Sequence, residues 1–157
     1  MMEWILYDFK SAKENWFEEV KTVYLKKINH FIDFEIQHLK TNQVDRDQAA
    51  LKIKFEESIL LEKIKDDDYV ILFDEKGRTF DSVNFAQALE KAQSSGKKRG
   101  VFVIGGAFGL SADIKKKAHV TISLSSLVMN HLIAETVVLE QIYRAHTIIN
   151  RIPYHNV

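Results

Sequence analysis

The chain has 157 residues, 46% of them apolar and 28% charged, a length suited to one domain and a composition that builds a packed interior. Cysteine is absent, which excludes disulfides, thiolate metal sites and cysteine nucleophiles. Lys+Arg and Asp+Glu number 22 each, so no basic excess marks a phosphate-binding protein. Lys97, Lys98, Arg99, Lys115, Lys116, Lys117, Arg144 and Arg151 could still gather into a local patch. The opening MMEWILYDFK lacks a signal-peptide pattern, and no stretch approaches the ~20 apolar residues of a spanning helix. A cytoplasmic protein with no membrane partner is expected.

In chain order, Trp4 to Tyr7 reads as a strand and Ala12 to Ile28 as an amphipathic helix with Trp16, Val20, Val23 and Tyr24 on one stripe. Ile32, Phe34 and Ile36 alternate with polar residues, the period of a strand with one buried face. Asp45 or Asp47 is placed to cap a helix reaching Ile64, with Leu51, Phe55 and Ile59 apolar, and Asp66-Asp67-Asp68 ends it. Tyr69 to Phe73 has the length and continuity of a buried strand, followed by a turn at Asp74-Glu75-Lys76-Gly77. Ser82 to Gln93 predicts a helix stopped by Ser94-Ser95-Gly96. Val101 to Ile104 is strongly β-prone and leads into Gly105-Gly106-Ala107-Phe108-Gly109. A short basic helix opened by Ser111 and Asp113, a strand from His119 to Leu124, and a long helix from Leu127 to about Asn150 complete the chain. Alternating strands and helices predict a single α/β domain over 1–157 with a mainly parallel sheet.

Glycines at the C-terminal end of a strand let backbone approach a ligand closely. The order G-G-x-x-G is not the dinucleotide fingerprint, and Met129 rather than an acid stands twenty residues after Gly109. With Leu110-Ser111 following, the loop also lacks the lysine of a phosphate-binding P-loop. Ser123-Leu124-Ser125-Ser126-Leu127-Val128-Met129 mixes small hydroxyl and apolar residues, a lining suited to a purine, and equally a strand-to-helix connection with Ser125 or Ser126 as N-cap.

The last helix is apolar around much of its circumference, which predicts burial on two sides, by a homodimer or by the rest of the chain. His131 and Glu135 share one face of it; Glu140 and Arg144 form an i,i+4 pair on the other. The tail adds Pro153, Tyr154 and His155, a ring and an imidazole able to stack on a base and move a proton. The six histidines offer no close pair of metal ligands in sequence, so no metal is expected.

Val103-Ile104-Gly105-Gly106-x-x-Gly109-Leu110, Ser123-Leu124-Ser125, His131, Leu139-Glu140-Gln141-x-Tyr143-Arg144-Ala145 and Pro153-Tyr154-His155, in this order, resemble the ribosomal large-subunit methyltransferase H family of the SPOUT superfamily. The resemblance runs the whole length. It implies a C-terminal trefoil knot, a homodimer, S-adenosyl-L-methionine as cofactor, and methylation of N3 of a pseudouridine in large-subunit ribosomal RNA. Carried over by position, it assigns Phe73, Gly105, Leu124, Ser125, Ser126, Leu127, Val128 and Met129 to the cofactor, and His131, Arg144, Tyr154 and His155 to RNA and catalysis. Three positions depart from the family pattern. Phe73 replaces the usual leucine, Val128-Met129-Asn130 precedes His131 in place of Thr-x-Pro, and Asp8-Phe9-Lys10 replaces a small Val-Gly-Lys turn.

Overall fold

The computed structural model describes residues 2–9, 13–40, 46–106 and 108–156. The expected helix start at Ala12, the cap at Asp45, and Lys10, Ala107 and Val157 lie outside the described residues. Five strands, β1 (Glu3–Phe9), β2 (Asp33–Leu39), β3 (Tyr69–Thr79), β4 (Arg99–Ile104) and β5 (Val120–Ser123), form one sheet in the order β2-β1-β4-β3-β5. Every pairing is parallel. Parallel neighbours need crossovers, and four helices supply them: α1 (Asn15–Asn29), α2 (Ala49–Lys63), α3 (Ser82–Gln93) and α4 (Ala112–Lys117), while α5 (His131–Ile149) follows the last strand.

Strand alternation sorts the apolar residues into two cores. Trp4, Leu6, Ile71, Phe73 and Phe102 face one layer with Phe17 and Ile28 of α1, Phe85 and Leu89 of α3, and Leu139 and Ile142 of α5. Ile5, Tyr7, Val70, Leu72, Val101 and Val103 face the other with Leu60 of α2 and Ile114 of α4. Gly100 is required here, because a Cβ would stand 2.3 Å from the Trp4 ring.

Several local expectations are corrected. On α1 the enclosed stripe runs through Phe17, Tyr24 and Ile28, whereas Trp16 and Val23 are exposed. On α2, Glu56 and Leu60 are buried while Leu51 and Phe55 are exposed. Asp47 falls in a 3-10 turn, Arg46–Gln48, and the α2 N-cap is Gln48, which makes no side-chain capping bond. The expected turn at Asp74 to Gly77 is a strand irregularity: β3 shifts register against β5 between Phe73 and Arg78 and continues to Thr79. Gly77 permits this, since a Cβ there would lie 2.7 Å from the Thr121 backbone.

The long helix starts four residues later than expected, at His131, capped by Asn130, whose Oδ1 accepts from the Leu132 N–H at 2.9 Å. Ser125 Oγ accepts from the Leu127 N–H at 2.9 Å instead, an Asx-like turn that holds 124–130 as a loop. The wide burial of α5 is supplied within the chain, where α1 and α3 flank it over the sheet. Among the described residues no helix is long and apolar enough to cross a membrane.

Candidate functional site

The C-terminal ends of β1 and β4, the middle of β3 and the segment after β5 open together into a cleft of about 560 Å³, the range of a small-molecule site and on the side where parallel sheets bind ligands. Phe73, Gly105, Leu124, Ser125, Leu127, Val128, Met129 and His131 all line it; Ser126 does not. The two segments singled out in the sequence, 105–109 and 124–129, therefore meet across one opening. Leu127 and Val128 are 78% and 89% exposed, so apolar side chains are held out in solvent on its rim.

The glycine loop is shaped by residues that carried no signal in the sequence. Gly106 and Gly109 form an isolated bridge, with Gly109 at φ 85°, a conformation that favours glycine. A Cβ at Gly105 would stand 2.8 Å from the Leu110 side chain, and one at Gly106 only 2.5 Å from Glu56 Oε1. The nearly buried Asp74 carboxylate accepts from the Lys76 N–H at 2.8 Å and pairs with Lys115 at 3.6 Å. Its Oδ2 also stands 3.4 Å from the Leu110 N–H. Glu56 and Asp74 are thus cleft residues.

His131 is brought beside a second group that sequence separation concealed. Asp8, fully enclosed at the end of β1, is in register with His38 of β2. His38 Nδ1 lies 2.6 Å from Asp8 Oδ1, and Lys21 Nζ of α1 lies 3.1 Å from His38 Nε2. Asp8 Oδ2 faces His131 Nε2 at 3.9 Å, both atoms closed to solvent and without a hydrogen bond of standard geometry. Ligand atoms of Asp8, His38 and the fully buried Glu135 lie within 4.8 Å of one another. Burial pushes the Asp8 carboxyl up, but His131 and His38 beside it outweigh burial and hold Asp8 well below the ordinary carboxylate range.

Arg144, Tyr154 and His155 assemble separately. Arg144 forks onto Glu140 at 3.0 and 3.2 Å, the Tyr154 O–H donates to Glu140 Oε2 at 2.8 Å, and Arg144 Nη1 donates to His155 Nδ1 at 3.1 Å. The guanidinium also lies 4.6 Å from the Tyr154 ring centre. The backbone N–H of Ile152 donates to Thr147 O at 2.8 Å with Arg151 at φ 57°, which turns the tail back along α5. Thirteen residues of helix separate His131 from Arg144, about 20 Å at ~1.5 Å per residue, so one chain does not unite the four residues assigned to RNA and catalysis. The basic patch is largely neutralised: Lys97, Arg99, Lys115, Lys116 and Lys117 pair with Asp67, Asp68, Asp74, Asp113 and Asp66.

Comparison with known proteins gives the class to which the chain belongs. The chain belongs to the SPOUT methyltransferases: the family described as "Predicted SPOUT methyltransferase" matches residues 2–155. It is similar to the ribosomal RNA large subunit methyltransferase H of Bdellovibrio bacteriovorus, 49% identical over 99% of this chain and 100% of that one. The protein of the same name from Christiangramia forsetii is 35% identical over 88% of this chain and 89% of that one. Among solved structures, the SpoU methyltransferase AviRb from Streptomyces viridochromogenes, in complex with AdoMet, aligns with a TM-score of 0.44 and 11% identity, covering 91% of this chain and 60% of that chain.

Proposed function

We propose that the protein is a single-domain cytoplasmic enzyme that transfers a methyl group from S-adenosyl-L-methionine to N3 of a pseudouridine in large-subunit ribosomal RNA. The observation that carries this reading is the cleft in which the 105–109 and 124–129 segments face each other. Its chemistry fits the cofactor. Phe73, Leu124 and Leu127 offer apolar walls for a purine, the glycine loop leaves backbone groups approachable, and Glu56 and Asp74 supply negative charge suited to a cationic sulfonium. When bound, S-adenosyl-L-methionine supplies the activated methyl group. The C-terminal knot and the homodimer belong to the same proposal.

An imide nitrogen is mostly protonated at neutral pH, so the enzyme must remove a proton to free its lone pair. His131, on the cleft wall, is positioned to accept it. Arg144, Tyr154 and His155 would hold phosphate and base from the second protomer, because the helix places them about 20 Å from His131 in the same chain. The experiment is mass mapping of large-subunit rRNA from cells lacking the gene: one pseudouridine should lose its 3-methyl group. An unchanged modification map would reject the substrate. Undetectable S-adenosyl-L-methionine binding by calorimetry would reject the enzyme.

A further inference from the structure

Asp8 is a fully enclosed carboxylate, on the wall behind the cleft, that the proposed mechanism does not use. Burying a charge is costly unless its oxygens are paired, yet one oxygen of Asp8 is committed and the other is held toward His131. The donor chemistry explains the arrangement. A lysine ammonium can only donate, so Lys21 at 3.1 Å makes His38 Nε2 the acceptor. His38 therefore carries its proton on Nδ1 and donates it to Asp8 Oδ1 at 2.6 Å. Glu135 of α5 stands near the same carboxylate, with a ligand atom within 4.8 Å of those of Asp8 and His38.

We propose that Asp8 is the positioning residue of His131: it fixes Nε2 of that ring as a donor to Asp8 Oδ2 and so presents Nδ1 as the proton acceptor in the cleft. The inference rests on the methyltransferase reading for its catalytic consequence. His131 Nε2 is closed to solvent and faces Asp8 at 3.9 Å, while the ring as a whole borders the cleft. The edge left for substrate is the Nδ1 edge. Catalytic hydrogen bonds are often long in a free enzyme and tighten only when substrate is bound. In the step, the N3–H bond of the base breaks, its proton bonds to His131 Nδ1, and the electron pair stays on N3 as the nucleophile. Asp8 then balances the imidazolium, the role a buried carboxylate plays behind a histidine base.

The groups that face this pair are Lys21 and Glu18 from α1, His38 from β2, and Glu135 from α5, one turn beyond His131. A metal ion bound by Asp8, His38 and Glu135 would need His38 Nε2–H to face an acceptor. It faces the Lys21 ammonium instead. The relay, not a metal, matches the donors present.

Two measurements test the proposal. In long-range ¹H–¹⁵N spectra of the free protein, His131 should be the Nε2–H tautomer in the wild type and should lose that preference in Asp8→Asn. An Nδ1–H tautomer in the wild type would overturn the proposal without any variant. In steady-state kinetics, Asp8→Asn should lower kcat about 100-fold with KM for RNA and cofactor within about twofold, and His38→Gln should lower kcat less. Unchanged kcat in a folded Asp8→Asn protein, or a loss confined to KM, would overturn it. So would saturable Zn²⁺ or Mn²⁺ binding at micromolar concentration that moves the His38 and His131 resonances. If the wild type methylates no RNA, the activity reading fails and the tautomer measurement alone decides the role of Asp8.

Discussion

The two ends of α5 hold polar clusters of opposite character. At its N-terminus, Asp8 Oδ2 and His131 Nε2 are closed off from solvent with bonds unmade. At its C-terminus, Glu140, Arg144, Tyr154 and His155 bond to one another in half-exposed positions. Unmade polar bonds in a buried place cost stability and are retained where a ligand or a proton completes them. A closed surface network instead fixes the orientation of its members and presents them as a unit. Under the proposed function, the N-terminal cluster serves the chemistry and the C-terminal cluster the holding of RNA.

The sharpest way to break that division is to close the cleft while leaving the tail alone. Gly105→Val places branched carbons where a single Cβ would already be 2.8 Å from Leu110 and 3.3 Å from the Gly109 backbone. Isothermal calorimetry should show S-adenosyl-L-methionine binding weakened at least 100-fold, about 3 kcal/mol or more, with the Arg144 network undisturbed. Retained affinity would place the cofactor elsewhere.

How far these clusters were legible in the sequence follows from what holds them. The parallel sheet was legible because Tyr69 to Phe73 and Val101 to Ile104 are apolar without alternation, and the cleft because a glycine run follows one of those strands. The Glu140–Arg144 pair was legible because helical spacing alone brings it together. Asp8, His38 and Glu135 were not, because strand register and a crossover unite residues about 30 and 100 positions apart, and no local period encodes that. Likewise, Asp47 has the chemistry of an N-cap, but an intervening 3-10 turn leaves Gln48 at the helix start.

His146 is the exception at the tail end of α5. It is 2% exposed, stacks on Phe31 at 5.9 Å and has no partner for Nε2. Burial lowers it from 6.5 to about 4. The folded protein therefore stays neutral at this position while the unfolded chain takes up a proton, so stability is lost as pH falls from about 6.5 toward 4. The shift corresponds to about 3 kcal/mol. Urea unfolding at pH 7.5 and 4.5 should show most of that loss in the wild type and less in His146→Leu. An equal loss in both would assign the acid sensitivity of this range to other groups; Asp8, whose contribution is present above about pH 4 and lost below it, acts only at lower pH.

His155→Ala tests the holding role by separating turnover from binding. Its ring accepts from Arg144 and does not line the cleft. Turnover on RNA should fall about 30-fold, roughly 2 kcal/mol, while cofactor affinity measured alone stays within about twofold. Wild-type turnover would remove the tail from the reaction.

The smallest effect expected is that of Tyr154→Phe, which deletes one hydroxyl from the closed network. The O–H donates to Glu140 at 2.8 Å, and that bond, with some burial, holds the phenol protonated above its ordinary range. Hydrogen bonds to charged groups contribute roughly 1.5–3 kcal/mol when enclosed, but this one is half-exposed and screened, so about 1 kcal/mol or less is expected. Because Arg144 keeps both contacts to Glu140 and its place over the ring, the guanidinium should stay oriented and RNA binding should weaken by no more than about threefold. A loss as large as that of His155→Ala would mean that the hydroxyl itself touches RNA, and that the tail network opens when substrate arrives.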